Sequence, residues 1–176
     1  MIQVFKDGAA AALAHDHVVD VKDFAGSIVT DGDAATASVD VTAQTASFTN
    51  DDAKLRKKFG LDSEISEKDR KAVEENMKSK DQLDTAGFPT VKFVSTSVKK
   101  GADGKLTLAG KLTLHGVTKD VTMPLDAKVT GDDVDGSASF RLKTSDYGIK
   151  PYSALLGAVK NKDEIVLHLH LVGHAK

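Results

Sequence analysis

Six histidines fall in three places along the chain: His15 and His17, then His115, then His168, His170 and His174. A His-x-His pair on an extended strand turns both rings to one side. Two such pairs on neighbouring strands, His15/His17 and His168/His170, would bring together four imidazoles, a donor set that suits zinc, copper or nickel. The residues between them argue otherwise. His17 shares its face with Leu13, Val19 and Val21, which marks an interior face. His168 and His170 alternate with Ile165, Leu167, Leu169 and Leu171, which points them outward. On that reading the pairs diverge, so no metal and no cofactor is expected. His15 and His17 are left with a softer role, a hydrogen bond to a polar ligand head at the mouth of the fold, set against the plainer reading of satisfied strand-end residues. His115, just before Gly116, is expected in a turn with a backbone contact.

Other chemistry is scarcer still. The chain has no Cys, which removes disulfides, thiolate metal sites and cysteine nucleophiles. It has no G-x-S-x-G elbow, Walker loop, G-x-G-x-x-G or H-E-x-x-H. Asp16, His17 and Ser153 can be imagined as a triad, but their spacing carries no weight. Asp31-Gly32-Asp33 and Asp132-Asp133 lack the closing Glu of a calcium loop and read as hairpin turns. No catalytic residue is assigned and the protein is expected not to be an enzyme.

Composition narrows the partners. Lys and Arg number 24 against 26 Asp and Glu, a net charge of -2, which argues against nucleic acid. Aromatic residues make up 5% and Trp is absent, so stacking platforms for bases or sugars are not expected. No apolar run approaches the roughly 20 residues of a membrane span. The Ala-rich stretch from Gly8 to Ala14 is too weakly apolar for a leader. A periplasmic or secreted location follows if a leader has been removed, and a cytoplasmic one otherwise.

These residues need a frame, and most of the chain reads as short strands separated by Gly and Asp turns. From Lys105 to His115, Leu106, Leu108, Leu112 and Leu114 share one face, and Gly110 marks a bend. Val121 to Val129 alternates likewise through Met123 and Leu125. Ser137 to Leu142 and the run around Ile165 to Leu171 follow, and Gly26 to Thr30, Ser38 to Ala43 and Val91 to Val98 are weaker strands. The exception is the charged segment 50–80. Asn50 is read as capping a first helix that stops at Gly60, and Ser66 to Asp69 as a capping box opening a second. Its inward stripe would be Ile65, Ala72, Val73, Asn76 and Met77. The expectation is one domain over residues 1–176: an all-β antiparallel barrel of about eight strands with a helical insertion at 50–80.

Closing the sheet covers its apolar face and leaves a packed interior or room for one small ligand. The interior has few large aromatics to fill its centre, which favours a ligand. The lining is predicted to be Leu13, Val19, Val21, Phe93, Leu106, Leu108, Leu112, Leu114, Met123, Leu125, Phe140, Leu142, Leu167 and Leu169. His15 and His17 are placed at the mouth, and Tyr152, Leu155 and Leu156 lie across it.

Four segments carry a family resemblance. They are Phe24-Ala25-Gly26-Ser27-Ile28, Gly87-Phe88-Pro89-Thr90-Val91-Lys92-Phe93 with Ser95, the run Gly110 to Val121 with Leu114-His115-Gly116-Val117-Thr118, and Ser145-Asp146-Tyr147-Gly148-Ile149. In order and spacing, from about residue 5 to 172, the chain resembles the YceI-like family of bacterial proteins. The resemblance implies a lipocalin-like barrel that carries a long isoprenoid or fatty-acid-like molecule as a binding or transport protein, often in the periplasm. It implies no catalytic residues. The doubled histidine of Ala14-His15-Asp16-His17-Val18 and the apolar loop Lys150 to Ala158 depart from the family pattern and suggest a subgroup. Two alternatives stay open: a histidine-based metal or cofactor site in the same barrel, and an empty barrel that docks a protein through its helical segment. A homodimer is compatible with all three.

Overall fold

A computed structural model describes residues 1–61 and 63–174. Asp62, Ala175 and Lys176 lie outside the described residues. The strands are β1 (Ile2–Asp7), β2 (His17–Asp20), β3 (Phe24–Val29), β4 (Ser38–Gln44), β5 (Thr49–Asn50), β6 (Thr90–Lys100), β7 (Leu106–Leu114), β8 (Val117–Thr130), β9 (Asp133–Lys143), β10 (Ser153–Ala154) and β11 (Val159–His174). These make eleven strands among the described residues, where about eight were expected. The surplus is short: β5 and β10 have two residues each and β2 has four.

All pairings are antiparallel, in the order β3-β4-β6-β7-β8-β9-β11-β1-β2-β5, with β10 folded back on β11. The sheet curls on itself into a lipocalin-like barrel, as expected, and is open along one seam. β1 pairs with β11 only as far as Leu167, with a last backbone bond from His168 N–H to the Met1 carbonyl. Beyond it the edge of β11 faces β3, and Ile28 lies close beside Gly173 without a ladder.

The alternation read from the sequence is what buries the core. Leu108, Leu112, Leu114, Met123 and Leu142 are buried together with Phe93, Tyr147, Ile149 and Ile165. Gly110 is required by packing and faces a bulge in the neighbouring strand. A Cβ there would lie 2.5 Å from the Phe93 ring, and the register of the facing strand slips between Ser95 and Ser97. His115 and Gly116, both at positive φ, form the two-residue turn between β7 and β8. The Asp31–Asp33 and Asp132 turns are loops between paired strands.

The insertion holds two helices, α1 (Ala53–Lys58) and α2 (Glu67–Lys78). Asp52 caps α1 through the Lys54 and Leu55 N–H groups, correcting the assignment to Asn50, which pairs in β5. Gly60, at φ +67°, follows the C-terminal Phe59. Ser66 accepts from Asp69 N–H at 3.1 Å, the cap that was expected, but the reciprocal bond to the Asp69 carboxylate, at 2.6 Å, comes from the Ser66 hydroxyl and not from its backbone N–H. The inward stripe of α2 is thinner than expected. Ala72 and Asn76 are exposed, and Met77 is the residue that packs on the barrel, against Val19, Ala43 and Phe48.

Candidate functional site

The barrel interior is divided along its axis. One part is filled by its own side chains, with Met123 fully buried at the centre. The other is hollow: a cavity of about 440 Å³, inside the ~300–1,000 Å³ range of small-molecule sites. Its walls come from β1, β2, β4, β6, β7, β9 and β11. Along β11, lining residues recur between Lys162 and Leu171, a stretch of about 30 Å at roughly 3.3 Å per residue. The walls are overwhelmingly aliphatic and aromatic. The polar residues along it are Gln82, Thr144 and Lys162 where β11 begins, Asp20 at the end of β2, and His168 and His170 on β11, whose rings are bonded to Gln3, Ser139 and Asp135.

Of the residues predicted to line this space, Val19, Val21, Phe93, Leu112, Leu114, Phe140, Leu167 and Leu169 do so. Leu108, Met123 and Leu142 face inward but are consumed in the packed core, and Leu106 and Leu125 are half-buried beside it. Period two tells which way a side chain faces, not how far along the barrel it lies. Leu13, Leu155 and Leu156 are corrected outright: they are 75%, 68% and 109% exposed and cover nothing. Tyr152 is half-buried at the base of β10, off the cavity. The sequence reading missed much of the lining, including Ile2 and Val4 of β1, Val41, Ala43 and Phe48. It also missed Met77 of α2, Leu83 in the segment after it, and Ile149 and Pro151. For β1 the signal was present, since Ile2 and Val4 alternate with Gln3 and Phe5.

The histidines do not reach the cavity as predicted for His15 and His17. His15 shares a 3.3 Å hydrogen bond with Ser63, and His17 Nδ1–H donates to Asp51 at 2.7 Å. Both are held by the segment that carries α1. Asp51 is the centre of that arrangement. Its carboxylate also accepts from Arg56 at 2.8 Å, Asn50 at 2.9 Å and the Val18 N–H at 3.2 Å, and its side chain is wholly buried. Burial alone would push this carboxyl up. The hydrogen bond and charge of His17, then Asn50 and Arg56, outweigh it and hold the group below the usual carboxylate range. Arg56 is tied further to the Asp16 and Ser63 carbonyls, which pins α1 to the start of β2.

On β11, His168 turns outward, donating through Nε2 to Gln3 at 2.8 Å with Nδ1 bonded to Ser139 at 2.9 Å. The Phe59 ring covers it at 5.0 Å, and burial, the N-terminal ammonium and Lys58 lower its pKa. His170 meets Asp135 at 2.9 Å on the exposed face. The four imidazoles therefore do not converge. Among the described residues no group of three His, Asp or Glu side chains is arranged to hold an ion. His115 lies against Phe88, ring centroids 4.2 Å apart, and its Nε2 is buried with no partner among the described residues.

A profile of the YceI-like domain matches residues 7–172, nearly the whole chain. The chain belongs to the YceI-like family. Protein YceI of Escherichia coli O157:H7 is 35% identical over 136 residues, which cover 73% of this chain and 61% of that protein. The UPF0312 protein of Shewanella denitrificans is 40% identical over 100 residues, 51% of this chain and 48% of the relative. The chain thus spans about half to three-fifths of the length of these curated relatives. Solved structures of the same fold agree over more of the chain at lower identity. BcnA of Burkholderia cenocepacia superposes with a TM-score of 0.66 at 21% identity, covering 98% of this chain and 96% of that one. A polyisoprenoid binding domain from Saccharophagus degradans superposes with a TM-score of 0.62 at 11% identity, covering 99% and 93%. In this YceI-like chain the family segments do two jobs. Phe88, His115 and Gly116 pack against one another at a barrel end, while Phe93, Leu112, Leu114 and Ile149 continue from the same segments into the cavity.

Proposed function

We propose that this YceI-like barrel is a non-enzymatic carrier that holds one long apolar molecule, isoprenoid or fatty-acid-like, along its axis. The observation that carries the reading is the size and chemistry of the cavity together. It is about 440 Å³ in volume, bordered by β11 from Lys162 to Leu171 and lined mostly by aliphatic and aromatic side chains. At about 30 Å³ for a water-sized group, it accommodates roughly 15 methylene-sized groups. Each methylene taken from water contributes about 0.8 kcal/mol, so affinity accumulates with chain length and needs few polar contacts. The Saccharophagus degradans domain of the same fold is itself a polyisoprenoid binding domain, which supports the ligand class.

Delipidated protein tests this by displacement of 1-anilinonaphthalene-8-sulfonate. A twenty-carbon isoprenoid alcohol or oleate should displace the dye at low micromolar concentration, and hexanol should not. Equal displacement by short and long chains, or by neither, overturns the reading.

A further inference from the structure

Leu155 and Leu156 do not close the cavity, and their conformation is costly. Both adopt left-handed backbone, φ +49° and +56°, with Gly157 at +89° continuing the turn. A bulky residue rarely accepts that region. Neither leucine gains burial in return. The turn is nevertheless held firmly. Ala158 N–H donates to the Leu155 carbonyl at 3.1 Å, and the Ala158 carbonyl accepts from Ala10 N–H at 2.7 Å. That second bond fastens the Gly8–Ala14 turn to the β10–β11 hairpin, so exposed Leu13 stands at the same end as Leu155 and Leu156. The hairpin rises from the cavity itself. Pro151 and Lys162 at its base line the cavity, and Ala158 near its tip lies four residues further, about 13 Å away.

We propose that this apolar tip inserts into an anionic lipid bilayer and sets the start of the cavity against the membrane, where the cargo is exchanged. The proposal rests on the cavity being a lipid site. The patch is convex, with side chains standing free of their neighbours. A fluid hydrocarbon phase accepts that shape, whereas a protein partner needs a matching pocket. Its charge fits the same occupant. Lys150 and Lys162 are exposed at the base of the hairpin and form no ion pair among the described residues, while Lys160 is paired with Asp7 at 3.3 Å. Apolar insertion and a basic rim together are the requirements for binding at a membrane surface.

Co-sedimentation with vesicles of equal phosphatidylcholine and phosphatidylglycerol tests it. The wild-type chain should sediment with them, and less well with phosphatidylcholine alone or at high salt. The double variant Leu155→Asn/Leu156→Asn should lose about a hundredfold in affinity, tenfold per leucine. Asn tolerates left-handed backbone, so the variant should melt no lower than the wild type. It should also retain its extractable lipid, because it leaves the cavity untouched. Wild-type protein that stays in the supernatant, or a variant that sediments equally well, overturns the proposal. So does a wild-type dimer that the variant converts to a monomer without vesicle binding, which would assign the patch to a second copy. Vesicle binding by protein that neither carries nor takes up lipid would refute the cargo reading and leave docking standing.

Discussion

Replacing Asp51 with Asn should be far more damaging than its size suggests. The two side chains are nearly isosteric, and Asn accepts the left-handed backbone at this position, φ +56°, at least as well as Asp. Shape and backbone terms therefore cancel, leaving the charge. Without it, the Arg56 guanidinium is buried with no counter-ion, and His17 loses its 2.7 Å acceptor. Removing one partner of a buried pair costs about 3–5 kcal/mol. At about 2–4 °C per kcal/mol for a domain of this size, the melting midpoint should fall by roughly 10 °C. Urea unfolding followed by circular dichroism measures the free energy directly, and an unchanged slope would show that the denatured state is unaltered. The double variant Asp51→Asn/Arg56→Met should lose less than the sum of the single losses by about 2 kcal/mol, because the stranded charge is gone. Acid adds an independent check. The folded pKa of Asp51 is depressed, so its contribution is complete above the ordinary carboxylate value near 4 and disappears as pH falls through the folded value. Wild-type stability should drop in that acid range, and Asp51→Asn should show a shallower fall. A single variant within 1 kcal/mol of wild type, or strictly additive losses, would refute the assignment of this pair as the clamp on α1.

Three further outcomes follow from the cavity and the packing at Gly110. Ala43→Phe places a ring into the hollow part of the barrel and should abolish retention of long-chain lipid while the far-ultraviolet spectrum is preserved, and retained lipid would show that this wall is not used. Stripping the protein of lipid with organic solvent and adding a long-chain isoprenoid back to a hundredfold excess over its Kd should raise stability by about 2.7 kcal/mol, read as roughly 5–10 °C in the melting midpoint. Gly110→Ala forces a methyl to within 2.5 Å of the Phe93 ring and 2.6 Å of the Val94 carbonyl oxygen and should cost about 1–3 kcal/mol in urea unfolding, and an unchanged midpoint would show that these contacts are not tight.

What could be read from sequence was set by local periodicity. The strands around Leu106–Leu114, Met123–Leu125 and Leu167–Leu171 declare their inward faces, because alternation fixes facing within each strand. Position along the barrel axis is not encoded that way. Met123 and Leu112 look alike in sequence, yet one is sealed in the core and the other lines the cavity. Segment 50–80 misled for a related reason. Its charge density reads as a solvated surface, and nothing local distinguishes Asp51 and Arg56 from their exposed neighbours. Their burial follows from a contact with His17 and Val18 more than thirty residues away. The apolar loop at Leu155–Leu156 looked like a cover because exposed leucines are uncommon, and only the left-handed turn shows that they point away.

The central claim is that the cavity holds one long apolar molecule. Native mass spectrometry of protein purified without detergent, repeated after denaturation, addresses it most directly. A single discrete mass excess of several hundred daltons, released on unfolding and extractable into organic solvent, is expected. A bare mass from protein that also takes up no long-chain lipid on incubation would contradict it.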